Sequence, residues 1–128
     1  TVSTDTEHVH LAWHQNEHGL KNVKYPMASD ANGDVSRLFD VYDEEAGKAM
    51  RGSFIINPEG KLLAKEVNYG DVGRNVDELM RKFKAYLHLS RHPVKACPSK
   101  WKDEGDATLE PGAKLVGNVY KADGTLAH

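Results

Sequence analysis

Apolar residues recur along this chain with two different periods, and each period predicts a different kind of element. Val35, Leu38, Phe39 and Tyr42 fall at i, i+3, i+4 and i+7, which predicts an amphipathic helix of about two turns. Val76, Leu79, Met80, Phe83 and Leu87 share one face of a longer helix, which Asn75 can cap with Glu78 three residues on. That helix should end before Pro93, because a proline pushes the preceding residue out of the α region. Near the start, Val9, Ala12 and Trp13 share a helical face behind Thr4, whose spacing to Glu7 is that of a capping box, and Thr1 to Thr4 read as a strand running into that helix. Val23 to Met27 can form a short strand, with Pro26 arguing for an edge or a strand end, and Asp30-Ala31-Asn32-Gly33 is a turn.

The clearest local signal is Gly52-Ser53-Phe54-Ile55-Ile56, then Asn57-Pro58-Glu59-Gly60, then Lys61 to Asn68. Proline second and glycine fourth suit a type I turn, so these flanks should be antiparallel strands. Beyond Cys97 the chain turns polar and Gly/Pro-bearing through Gly117, which predicts an extended arm rather than core. Strand, helix, strand, helix, hairpin, helix is the order of a small α/β layered fold.

Composition narrows the function. The 128 residues carry 17 basic and 19 acidic side chains, so no charge excess draws the chain to nucleic acid or anionic lipid. Apolar runs stop at four or five residues, far short of a membrane span. No charged-then-apolar leader opens the sequence, so the expected compartment is the cytoplasm. One cysteine, Cys97, permits no internal disulfide.

Candidate chemistry is sparse. Only about 3% of an ordinary thiol is ionised at pH 7, and Lys95 and Lys100 beside Cys97 would lower its pKa if they approach the sulfur; the alternative is a structural cysteine. Arg51 precedes the Phe-Ile-Ile strand and Arg74 the long helix; together they can form an anion-stabilising pair, although each alone reads as a surface charge. His10, His14 and His18 lie at i, i+4, i+8 on the first helix, with His8 nearby. Eight residues span about 12 Å of helix axis, too far for three imidazoles to reach one ion at about 2 Å, so no metal and no cofactor is expected.

Six ordered motifs carry a resemblance: Val2-Ser3-Thr4-Asp5-Thr6, His10-Leu11-Ala12-Trp13-His14, Tyr25-Pro26-Met27, Arg51 to Gly60, Gly73 to Leu79, and Cys97-Pro98-Ser99-Lys100-Trp101. Over residues 1–119 the chain resembles the C-terminal two-thirds of a typical 2-Cys peroxiredoxin, of the kind that forms the peroxidase subunit of bacterial alkyl hydroperoxide reductase. The resemblance implies a thioredoxin-like fold, incomplete at its N-terminal strands and peroxidatic helix, with a partial domain at 1–92 and an arm carrying the resolving cysteine at 93–128. It implies a thiol peroxidase acting on hydrogen peroxide, alkyl hydroperoxides or peroxynitrite, reduced by a thioredoxin-like or flavoprotein disulfide reductase, and assembled as a homodimer or ring. Cys97 matches the family's resolving cysteine, Arg51 the arginine beside the peroxidatic sulfur, and Arg74 a second arginine that supports it.

One departure qualifies these roles. The family's peroxidatic motif, Pro-x-x-x-Thr-x-x-Cys, is absent; Pro93 to Cys97 has neither the threonine nor a preceding apolar strand. The resemblance places that motif upstream of Thr1, so the chain reads as truncated and, alone, as inactive. The second reading is a non-catalytic module that binds peroxiredoxin subunits. Residues 120–128 match no family pattern and are expected to be a tail.

Overall fold

The computed structural model describes residues 1–121, 125 and 126. The chain divides into two compact units, Thr1–Gly73 and Arg74–His128.

In the first unit, strand β1 (Val2–Ser3) pairs in parallel with β2 (Ala28–Ser29), and helix α1 (Glu7–Asn16) lies between them in sequence. The strand forms at Ala28–Ser29 rather than at the expected Val23–Met27, because ladder bonds require donors that Pro26 lacks: Ala28 N–H donates to Thr1 and Asp30 N–H to Ser3. The cap of α1 is Thr6, not Thr4; its hydroxyl accepts from Val9 N–H. Val9 and Trp13, on the face expected to be apolar and inward, are about half exposed, whereas His10 is buried and bonded to Ser3 Oγ at 2.6 Å.

Helix α2 is Asp34–Leu38, shorter than the two turns expected, and Leu38 is 81% exposed. Its entry is built by Asp30, which is buried and whose carboxylate accepts from Val35 N–H, Ser36 N–H and the Ser36 hydroxyl. These bonds, the Ser36 hydroxyl first, hold the Asp30 carboxyl below the usual carboxylate range. Gly33, in the expected turn, has φ of 77°, and a Cβ there would sit 2.5 Å from the Tyr42 ring. Glycine alone fits. The hairpin of β3 (Tyr42–Asp43) and β4 (Lys48–Ala49) follows, fastened to α2 by Arg37, which donates twice to Glu44 and stacks 4.0 Å above the Tyr42 ring.

The second hairpin is the one predicted: β5 (Gly52–Ile56) runs antiparallel to β6 (Leu62–Val67), with a register shift at Ile55/Ile56, and Gly60 N–H closes the turn onto Asn57. Val41 and Ile55 are buried here, and Phe39 packs on Phe54 with ring centroids 4.7 Å apart.

The second unit is helix α3 (Val76–Arg91) and a returning segment. Asn75 caps α3 through Glu78 N–H as predicted, and the helix stops at Arg91, two residues before Pro93. Four of the five residues of the expected inward face are exposed, Val76, Met80, Phe83 and Leu87 at 65%, 46%, 43% and 43%, while Leu79 is half-buried and the buried residue is Ala85. Nine residues separate Val76 from Ala85, which is half a turn around the helix. The segment after Cys97 is not an extended arm throughout, since Trp101 is 1% exposed. Aromatic bulk needs burial, and α3 supplies it: His88 lies against the Trp101 ring, Arg81 donates to the Trp101 carbonyl, Lys84 pairs with Asp103 and Arg91 with Glu104. In the predicted tail, Tyr120 bridges Leu126, while residues 122–124, 127 and 128 lie outside the described residues.

Two outcomes follow from these packings. Trp101→Ala should cost about 3–5 kcal/mol in urea unfolding, against under about 0.5 kcal/mol for Leu38→Ala. Because the folded Asp30 pKa is depressed, its stabilising contribution is present above about pH 4, the ordinary carboxylate value, and is lost as pH falls through the folded value. Asp30→Asn should therefore flatten the acid limb of stability against pH and lower the thermal midpoint at pH 7.

Candidate functional site

Cys97 sits in extended backbone between the end of α3 and Trp101, half-buried. Ala96 and Leu109 exchange both backbone hydrogen bonds, at 2.7 and 2.9 Å, and Trp101 N–H closes a turn onto Pro98. The thiol is thus on a short strand-like segment fastened on both sides. Burial pushes its pKa above the ordinary thiol value, and the opposing influence is the Arg81 guanidinium. The lysines expected to activate the thiol are not what acts on it. Lys95 is engaged with Glu110 at 2.6 Å, and its ammonium holds the Glu110 carboxyl below its usual range.

Arg81 was missed by sequence reading as a neighbour of the thiol. It donates to both oxygens of Glu78, at 2.6 and 3.0 Å, and to the Trp101 carbonyl at 3.0 Å. The i, i+3 pairing with Glu78 is legible in the sequence; the approach to Cys97 is not, because it depends on a turn that brings residue 97 back to residue 81.

Arg51 is exposed, immediately before β5, and donates to the Gly70 carbonyl at 2.8 Å. It lines a cleft of about 420 Å³ in the first unit, with Asp43, Lys48, Met50, Tyr69 and Asp71 among its walls. Arg74 is exposed immediately before the Asn75 cap, in the second unit with Cys97. Among the histidines, His10 is held by Ser3 and His14 reaches the Val23 carbonyl at 3.2 Å. Among the described residues no three metal-binding side chains converge, and no helix is long and apolar enough to cross a membrane.

Residues 1–65 match the AhpC/TSA family. The chain belongs to that family. Among AhpC/TSA relatives, alkyl hydroperoxide reductase C of Staphylococcus haemolyticus is 44% identical over 119 residues, 93% of this chain and 62% of that protein. The Staphylococcus aureus protein of the same name is 43% identical over the same span. This AhpC/TSA chain therefore spans about three-fifths of the length of the relatives it matches. Among solved structures it is similar to a Plasmodium vivax 2-Cys peroxiredoxin in its reduced form, with a TM-score of 0.80 at 25% identity over 91% of this chain and 62% of that one. It is also similar to Enterococcus faecalis AhpC, with a TM-score of 0.72 at 43% identity over 76% of this chain and 58% of that one. The fold is thioredoxin-like, as the resemblance implied, and covers part of that fold.

The raised thiol pKa has a readable consequence. Iodoacetamide labelling of Cys97 should titrate above the ordinary value of about 8.5, and Arg81→Met should move the midpoint higher still. Since the folded state holds its proton longer, stability should be intact below about pH 8.5 and decline as pH rises through the folded value.

Proposed function

We propose that the chain is part of a thiol peroxidase that reduces hydrogen peroxide and alkyl hydroperoxides, and that Cys97 is its resolving cysteine. A peroxidatic thiolate carried by another polypeptide segment attacks the O–O bond, releasing the alcohol or water and becoming a sulfenic acid. The Cys97 sulfur then attacks that sulfenic acid, expelling water and forming a disulfide. A thioredoxin-like or flavoprotein disulfide reductase returns both sulfurs to thiols, taking up the oxidising equivalents. The expected setting is a cytoplasmic homodimer or ring.

The observation that carries this reading is the state of the one cysteine: Cys97 stands in Cys-Pro-Ser-Lys-Trp, half-buried, with its pKa pushed up rather than down. A thiol so held is poor at opening a peroxide bond, where the thiolate is the nucleophile; the second step also proceeds through the thiolate, but there the electrophilic sulfenic sulfur is presented to it at close range. Arg51 and Arg74 are assigned to the first step. Lowering a thiol pKa by about two units raises the thiolate fraction at pH 7 roughly 25-fold, while nucleophilicity falls about 6- to 10-fold, for a net gain of only about three- or fourfold. Guanidinium donors aimed at the peroxide oxygens must supply the rest, as charge moves onto the leaving oxygen. The second reading, a non-catalytic module that binds peroxiredoxin subunits, keeps the fold and drops the redox step.

The test is reconstitution. Alone, the chain should consume peroxide in stopped flow no faster than a free thiol. Mixed with an N-terminal family segment that carries the peroxidatic cysteine but ends before the resolving cysteine and the two arginines, one equivalent of peroxide should yield a mixed disulfide at Cys97 by mass spectrometry, absent in Cys97→Ser. Arg51→Met should slow peroxide consumption in the mixture by about 10²–10³-fold. Binding without any disulfide would support the non-catalytic module, and fast saturable turnover by the chain alone would contradict both readings.

A further inference from the structure

We propose that Glu78 is a positioning residue for the resolving step: it fixes the Arg81 guanidinium beside the turn that follows Cys97 and, by cancelling part of that charge, holds the thiol in reserve. The inference rests on the reading of Cys97 as the resolving cysteine. Glu78 and Arg81 sit at i, i+3 on α3, both half-buried, and the carboxylate accepts from Arg81 Nε at 2.6 Å and Nη2 at 3.0 Å. A pair at this spacing needs no further partner if it only supports the helix. Here the third nitrogen, Nη1, donates to the Trp101 carbonyl at 3.0 Å, and Trp101 N–H closes the turn onto Pro98, the residue after Cys97. The carboxylate thereby decides where the guanidinium points.

Other charges around this turn are committed elsewhere. Lys95 holds Glu110, Lys84 holds Asp103, Arg91 holds Glu104, and Lys82 approaches Glu78 itself at 3.8 Å. Lys100 is exposed, Asp106 accepts from the N–H groups of Lys102 and Asp103, and His88 lies against Trp101. Among the described residues, the charge that acts on the Cys97 sulfur is that of Arg81, and it works against the burial that keeps the thiol protonated. The bonds from Arg81 hold the Glu78 carboxyl below its usual range, so it is ionised at neutral pH and opposes the guanidinium field at short range. The reserve has a chemical use. A freely ionised thiol would itself be oxidised by peroxide, whereas a protonated one waits for a sulfenic acid. In the step itself the Cys97 S–H gives up its proton, the thiolate forms the S–S bond, the sulfenic S–O bond breaks, and the departing hydroxide takes up a proton to leave as water.

The test is the pH dependence of thiol exchange between Cys97 in the full chain and a neutral disulfide, dithiodipyridine. Glu78→Gln should lower the midpoint and Arg81→Met should raise it. The rate at pH 7 should change only about twofold, faster in the first and slower in the second, because a lower pKa raises the thiolate fraction but weakens each thiolate. Above the midpoints the order should reverse, with the Arg81→Met thiolate the better nucleophile. Arg81→Lys should return the midpoint most of the way to wild type, and Glu78→Gln in an Arg81→Met background should add nothing. The Asn75 cap survives Glu78→Gln, since it is made by the Glu78 backbone N–H, and far-UV circular dichroism should keep its helical signal. A merely structural clamp would let both variants loosen the same segment and move the rates in the same direction at every pH. That result, or a Glu78→Gln profile matching wild type, would overturn the proposal. No peroxide enters this assay. In the reconstituted mixture Glu78→Gln should also form the mixed disulfide fastest at pH 7; opposed exchange profiles with no mixed disulfide would support the tuning of Cys97 and count against the peroxidase reading alone.

Discussion

Arg81 holds the second unit together from the middle of α3. Two of its nitrogens grip the Glu78 carboxylate and a third donates to the Trp101 carbonyl, so one rigid guanidinium links a helix to the backbone of the segment that returns along it. The buried Trp101 ring lies against His88 of α3, and the residues on either side of Cys97 are drawn into place by the Pro98–Trp101 turn and the Ala96–Leu109 bridge. The environment of the thiol is a by-product of this clamp. Burial raises its pKa, the same guanidinium that secures Trp101 partly offsets that rise, and Lys95 is paired with Glu110 instead.

The first unit relies on a similar economy of polar contacts. Val41 and Ile55 are its buried apolar residues among those described, and the connections between its short elements are made by Asp30 and Arg37. Asp30 satisfies the orphan N–H groups at the start of α2 that its own Gly33 cap cannot. Arg37 ties that helix to the next hairpin through Glu44 and the Tyr42 ring. Exposed ion pairs of this type add little individually, so the geometry of a few bidentate contacts matters more than their number.

Membership of the AhpC/TSA family gives these features a chemical context without assigning their roles. The half-buried thiol and the arginine beside an open cleft belong to different units of this chain. The apolar stripe of α3 lies in the second unit, with Cys97.

Local rules were sufficient for whatever is decided within a few residues. The Asn57–Gly60 hairpin, the Asn75 cap, the stop before Pro93 and the Asp30–Gly33 turn all rest on the φ preferences and hydrogen-bonding capacity of the residues themselves, and each is found where the sequence predicts it. Helix periodicity correctly located α3 and its apolar stripe, but periodicity states only that one face differs from the other. Which face is covered depends on what arrives from elsewhere in the chain. Here that was Trp101, twenty residues from Arg81, and it took the face opposite the stripe. The cap of α1 moved from Thr4 to Thr6 and β2 moved past Pro26 because pairing with β1 fixed their positions. The thiol's surroundings could not be read from its neighbours for the same reason: desolvation and the field of Arg81 act through space, and only the tertiary turn at residues 92–101 determines which charges come close.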